Sequence, residues 1–235
     1  MYEKSLGMKR TRAEEFFDGE CGAADVATAL NDLRHINSWF GGNATSEAMI
    51  EQVAEQRGAP KLSLLEAASG SGEVTAAAKA RLAPRGLDLE VTLLDRAWSH
   101  LYGNGNGHHR NGRRMVVGDA LAIPFEDGSF DLVSCGLFAH HLSPEQLTTF
   151  VNEGLRVCRV AVLINDLVRH PLHLGLAYLS LPLYRSYITR HDAPASVRAA
   201  YTVEEMQGLL RQTHAARVEI CRHRIFRMGV IAWKA

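Results

Sequence analysis

From Lys61 onward, short apolar runs alternate with helical segments, and this alternation restricts the chain to a sheet wound with helices. Leu62-Ser-Leu-Leu-Glu66 is the first run, and the helical Glu73 to Leu82 follows it. Leu89 to Leu94, closed by Asp95, is the second, and Arg114 to Val117, ending at Gly118-Asp119, is the third. Phe130 to Cys135 after the Asp127-Gly128 turn is the fourth; Val160 to Ile164, followed by Asn165-Asp166, is the fifth. Strands separated by helices line up in parallel with the helices on both faces. Ser143-Pro144-Glu145-Gln146 opens one helix with a capping serine, a proline at the first position and a glutamine at the third. Thr202 with Glu205 opens another, running to about Gln212. Arg217 to Trp233 reads as two strands turning back around Arg224 to Arg227. The expected fold is α/β: a doubly wound, mostly parallel sheet closed by a C-terminal antiparallel strand pair.

The N-terminal third is helical instead. Val26, Leu30, Leu33, Ile36 and Phe40 recur at spacings of three and four, and Gly41-Gly42 stops that stripe. A second helix, Thr45 to Gln56, ends near Gly58 and Pro60. Residues 1–58 are therefore expected to form an N-terminal helical cap, and 59–235 the ligand-binding domain, with a helical insert at about 167–200.

Lys+Arg and Asp+Glu balance at 26 each, so no basic excess points to nucleic acid. The nearest thing to a basic patch is Arg217, Arg222, Arg224 and Arg227, which read as solvated strand and turn positions. Cys21, Cys135, Cys158 and Cys221 form no CxxC pair and read as reduced cysteines of a cytoplasmic protein. Met1 to Arg12 lacks the apolar core of a signal peptide, and the apolar stretch Pro171 to Ile188 is interrupted by His173, Pro182 and Arg185. No transmembrane segment is expected, and a homodimer is allowed. Gly103 to Gly112 is a low-complexity loop whose paired histidines are not expected to be ligands.

In a doubly wound sheet, ligands lie outside the carboxyl ends of the strands. The residues that follow the strands are Glu66 with its Gly-rich turn, Asp95, Asp119, the Gly136 to His141 segment and Asn165-Asp166. Gly70 and Gly72 let backbone approach a ligand, and the next helix offers its N-terminal N–H groups. The turn lacks the third glycine of a GxGxxG fingerprint, and Glu66 just before it would repel a diphosphate but welcome an ammonium. An adenosyl amino acid suits these residues better than NAD.

Leu64-Leu-Glu-Ala-Ala-Ser-Gly-Ser-Gly72 resembles the first motif of class I S-adenosylmethionine-dependent methyltransferases, and Val91-Thr-Leu-Leu-Asp95 resembles their second-strand motif. Val117-Gly-Asp-Ala-Leu-Ala-Ile-Pro-Phe125 followed by Asp127-Gly-Ser-Phe-Asp-Leu-Val133 is similar to the adenine-contacting segment of the small-molecule, ubiquinone/menaquinone-biosynthesis-like members. The resemblance covers about Leu62 to Leu142 and departs at Ala68, where a glycine is usual. It implies a Rossmann-like, seven-stranded sheet and S-adenosylmethionine as cofactor. It also implies roles: Glu66 for the methionine ammonium, Gly70 and Gly72 for the methionine portion, Asp95 for the ribose hydroxyls, and Asp119 with the Ala120 N–H for adenine. Ala68, Arg96 and Gly136 complete the expected cofactor contacts.

For the acceptor, His141 and then His140 are the candidate bases because they follow the fourth strand, and His191 lies in a later segment that can fold over the pocket. His170 and His173 near Asp166 imitate metal spacing, but nothing else supports a metal. Leucines and tyrosines from Leu172 to Tyr187 read as a core-facing helix with a second face toward substrate. The expected activity is methyl transfer to an oxygen or carbon of a small apolar metabolite: polyketide-, quinone- or phenol-like. Rival readings are a cofactor-binding protein without catalysis, a methyltransferase of protein or nucleic acid, and an NAD-dependent oxidoreductase. The balanced charge and the absence of an Asn/Asp-Pro-Pro-aromatic motif after the fourth strand disfavour a macromolecular substrate.

Overall fold

The computed structural model describes residues 8–11, 16, 22–97, 114–223 and 226–235. The glycine-rich loop at 103–112, Cys21 and Arg224 lie outside the described residues. The strands are β1 (Lys61–Ala67), β2 (Asp88–Asp95), β3 (Arg114–Val117), β4 (Phe130–Gly136), β5 (Cys158–Leu167), β6 (Arg217–His223) and β7 (Arg227–Trp233). They form one sheet in the order β3-β2-β1-β4-β5-β7-β6. β1 to β5 are parallel, whereas β7 runs antiparallel to both β5 and β6. The strand order reverses between β1 and β4, and the crevice opens at their carboxyl ends.

The strands read as continuous apolar runs because both faces of the sheet are covered. Side chains alternate between faces with a period of two. Leu65, Val133, Val162 and Ile164 enter one core with Phe150 of α4 (Pro144–Val157) and Met206 of α7 (Val203–Leu210). Their neighbours Leu64, Leu132, Ala161 and Leu163 enter the other. That second core also holds Ala78 and Leu82 of α3 (Glu73–Leu82) and Ile50 and Val53 of α2 (Gly42–Arg57). α2, grouped on sequence with the cap, is thus a layer of the sheet sandwich. α4 comes close to the sheet through Gly154, where an added Cβ would meet Val162 Cγ2 at 2.7 Å.

Both capping boxes form: Ser143 Oγ accepts from the Gln146 N–H, and Thr202 Oγ1 from the Glu205 N–H. α1 (Ala23–Trp39) does not lie on a sheet face. Its Asp32 accepts the N–H groups of Arg185 and Ser186 at 2.9 and 2.8 Å, which ties it to the start of α6 (Tyr187–Ala199). α5 (Pro171–Ser180) departs from the expected core-facing helix. Leu172 and Leu179 are 67% and 77% exposed, because this short helix meets the protein mainly through Ala177 and Ser180. No helix among the described residues is long and apolar enough to cross a membrane.

Candidate active site

The cofactor side is assembled from turns that follow strands. After β1 the chain coils through Ala68, Gly70 and Gly72, at φ +50°, +53° and +68°, before α3 begins. A left-handed residue with a Cβ costs about 1–2 kcal/mol, so Ala68 holds the turn under strain that glycine would relieve. The Gly70 N–H donates to Asp95 Oδ2 at 2.8 Å, and the Ala97 N–H to Asp95 Oδ1 at 2.9 Å. The ends of β1 and β2 are thereby locked together around one carboxylate. Glu66 is buried and accepts from the Thr75 hydroxyl. Asp119 is exposed and accepts from the Leu121 N–H at 2.8 Å, while Ala120 beside it is buried.

The other side is built from segments far apart in sequence. Leu137, at φ +54°, turns the chain out of β4 into a single 3₁₀ turn, Ala139–His141. Asp166, near the end of β5, receives this turn: its Oδ2 accepts the His140 N–H at 2.9 Å and its Oδ1 meets His140 Nδ1 at 2.6 Å. Burial alone would raise the Asp166 carboxyl, but the His140 charge and hydrogen bonds outweigh it and hold the group below its ordinary range. An ionised Asp166 makes His140 Nδ1 the protonated nitrogen and Nε2 the basic one. Arg10 fixes the same turn from outside, donating to the carbonyls of His140 and Leu142.

Sequence reasoning missed Arg227. Read as solvated with its neighbours, it is 1% exposed, while Arg217 and Arg222 are indeed on the surface. Its Nη2 donates to Asn37 of α1 at 3.0 Å and its Nη1 reaches Asn165 of β5 at 3.5 Å. Burial pulls its pKa down to about 10, against the opposing charge of Asp166, so it stays protonated at neutral pH. One signal was available. Met228 to Trp233 is an unbroken apolar run, hence an interior strand, and the first residue of an antiparallel strand sits at the carboxyl edge of its parallel neighbours. His173, with its pKa lowered to about 4 chiefly by burial, was also missed as a buried group; His170 and His173 both stack on Phe226, with ring centroids 5.1 Å apart in each pair.

These two sides share one cavity of about 940 Å³, at the upper end of the range of ~300–1,000 Å³ typical of ligand sites. Glu66, Ala68, Gly70, Asp95 and Arg96 line it, as do Asp119, Ala120, Gly136, His140 and His141. Gly72 does not line it; it shapes the turn behind. His191 is also outside the lining: its ring stacks on Phe16 at 3.7 Å, and its Nδ1 meets Asp192 Oδ1 at 2.8 Å. α1 contributes Leu30 and Leu33, Phe40 follows at its C-cap, and α5 and α6 contribute Ala177, Ile188 and Val197.

The polar end fits an adenosyl amino acid. A Cβ at Gly136 would meet nothing within 4 Å, so the end of β4 is open toward a ligand. Asp95 is a buried carboxylate whose orientation is set by backbone, as two vicinal hydroxyls require. Residues 65–163, under half the chain, match the family described as a methyltransferase domain. No curated protein sequence matches the chain. Among solved structures, human N-acetylserotonin methyltransferase with S-adenosylmethionine is similar at a TM-score of 0.64 and 12% identity, over 91% of this chain and 57% of that one. An O-methyltransferase from Nostoc punctiforme, so described provisionally, aligns at 0.60 and 15%, over 96% and 64%. This chain thus spans less than two thirds of either length. Magnesium protoporphyrin IX methyltransferase from Synechocystis PCC 6803, with S-adenosylhomocysteine bound, aligns at 0.52 and 14%, over 83% and 84%. At such identities the likeness is one of fold, and it is the matched domain that adds the chemistry. The chain thus has the fold of these methyltransferases, and a match to a methyltransferase domain runs from β1 into β5.

Proposed function

We propose that this enzyme methylates an oxygen or carbon of a small, largely apolar metabolite, polyketide-, quinone- or phenol-like, with His140 as the base. The observation that carries this reading is His140, which lines the same cavity as the expected cofactor residues and is paired behind it with the buried Asp166. Glu66, Asp95 and Asp119, with the turn at 68–72, would hold S-adenosylmethionine, which supplies a methyl group activated on its sulfonium. Around the acceptor, Leu33, Ala177, Ile188 and Val197 exclude water. His140 Nε2 takes the proton of an acceptor hydroxyl as the oxygen becomes nucleophilic. Asp166 then stabilises the imidazolium and keeps the ring oriented. His140 is preferred because its Nδ1 is paired to a buried carboxylate, Asp166.

Its structural neighbours include a magnesium protoporphyrin IX methyltransferase and the CMeT domain of the citrinin polyketide synthase, which supports a small-molecule acceptor. The test is incubation with S-adenosylmethionine and a panel of phenols, quinols and polyketide-like hydroxy acids, with mass spectrometry of products. The expected result is a gain of one methyl on a panel member, lost in His140→Ala. Methylation of cellular protein or RNA, with none of any small acceptor, would overturn the assignment.

A further inference from the structure

We propose that Arg227 anchors a carboxylate of the acceptor, so that the substrates of this enzyme are acids. This rests on the reading that the cavity takes a small acceptor, and adds the chemical group by which it is held. Arg227 lines the cavity and is almost wholly buried, yet among the described residues no carboxylate pairs with it within 4 Å. Buried charges in proteins are ordinarily paired, since an isolated ion loses several kcal/mol or more of solvation. The nearby buried acids are committed elsewhere. Asp166 serves His140, Asp32 takes the Arg185 and Ser186 N–H groups, and Asp192 takes the Phe16 N–H and meets His191. The two groups that do meet Arg227, Asn37 and Asn165, offer neutral amide oxygens.

The guanidinium is also incompletely used. Its Nε is buried with no hydrogen-bond partner. Nη2 carries two hydrogens and gives one to Asn37. The Nε N–H and a second Nη2 N–H therefore remain to donate to a carboxylate. Its position suits this role. Arg227 pairs in register with Leu167 at the carboxyl end of β5, one residue beyond Asp166, so an acid held there lies beside the His140–Asp166 pair. The resulting ion pair gives a buried charge the direct carboxylate contact that Asp166, committed to His140, does not supply.

Binding separates this from the activity itself. Protein loaded with S-adenosylhomocysteine is titrated by calorimetry with cinnamate and with cinnamyl alcohol, planar probes that differ in the carboxylate. Cinnamate is expected to bind at least about tenfold more tightly, the lower range for a charge-assisted bond. Arg227→Gln abolishes that preference and leaves S-adenosylhomocysteine affinity within about twofold, and Arg227→Lys retains part of it. Equal affinity for the two probes, or no cinnamate binding at millimolar concentration, overturns the anchor without recourse to any variant. If Arg227→Gln lowers stability alone and preserves the preference, the residue merely ties α1 to the sheet. If it costs S-adenosylhomocysteine affinity instead, the guanidinium serves the cofactor carboxylate; either result also overturns the proposal. A protein that binds cinnamate through Arg227 but methylates no small molecule would retain the anchor and refute the proposed activity.

Discussion

The two ends of the cavity are built on different principles. At the cofactor end, each polar group sits within a few residues of a strand end, and its partners are mostly backbone N–H groups of adjacent turns. At the acceptor end, the polar groups are brought together from α1, β5, β7 and the segment before α6. The bond from Arg227 to Asn37 spans 190 residues, and that from Arg185 to Asp32 spans 153. The first arrangement is fixed by local conformation and tolerates change elsewhere. The second depends on the whole fold being in place, and there burial moves His173 to about 4 and Arg227 to about 10.

The sharpest way to test this division is to break the acceptor end alone. His140→Ala should lower turnover of a hydroxyl acceptor by about 10²–10⁴-fold while leaving S-adenosylhomocysteine affinity within about twofold. Stopped turnover with an equal loss of cofactor affinity would mean that the ends are not separable. The reciprocal change, Asp95→Ala, should weaken S-adenosylhomocysteine by about 1–3 kcal/mol, since vicinal hydroxyls lose a buried acceptor. Calorimetry finding unchanged affinity removes Asp95 from the site.

A pH experiment sharpens the contrast further. His173 is neutral when folded down to about pH 4, chiefly through burial, whereas its ordinary value is 6.5. Below 6.5 the unfolded chain takes up a proton that the folded chain refuses, so stability is full above 6.5 and is lost as pH falls toward 4. The loss by pH 5 is about 2 kcal/mol. His173→Asn should flatten that part of the urea-midpoint profile between pH 7.5 and 5; an unaltered slope would assign the acid sensitivity to other groups. The smallest effect belongs to the cofactor turn. Ala68→Gly relieves about 1–2 kcal/mol of left-handed strain but adds about 0.5–1 kcal/mol of unfolded-state entropy. A net gain of about 0.5–1 kcal/mol is expected in urea unfolding. A loss would show that the Ala68 Cβ makes contacts worth more than its strain.

The same division decides how much can be read from the chain. β1, β2 and β4 are legible because strands covered on both faces are mostly apolar, and Glu66 and Asp95 at the ends of β1 and β2 stand out by contrast. Ser143 and Thr202 announce their helices because a capping box is complete within four residues. Arg227 was hidden by its company: three other arginines within ten residues suggested a solvated hairpin, and its burial depends on Asn37 at the far end of the chain. His191 misled in the opposite way. It neighbours Asp192, and only the aspartate faces the cavity, because successive helical residues diverge by about 100°. The leucines of α5 could not be assigned by counting apolar residues, since Leu172 and Leu179 face outward and Ala177 faces in.

β7 is the last strand of the seven to leave the ribosome, yet it lies one place in from the edge. Until it is made, β5 presents an unpaired outer edge along the apolar Val160 to Ile164. Such an edge is a template for another chain's strand. The hairpin of β6 and β7 closes it in a single step, and the same step delivers Arg227 to Asn37 on α1. Ribosome-bound chains that end before Arg227 are in this respect both unprotected and without an assembled acceptor end, while the cofactor turn, complete by Ala97, is already encoded in what has emerged.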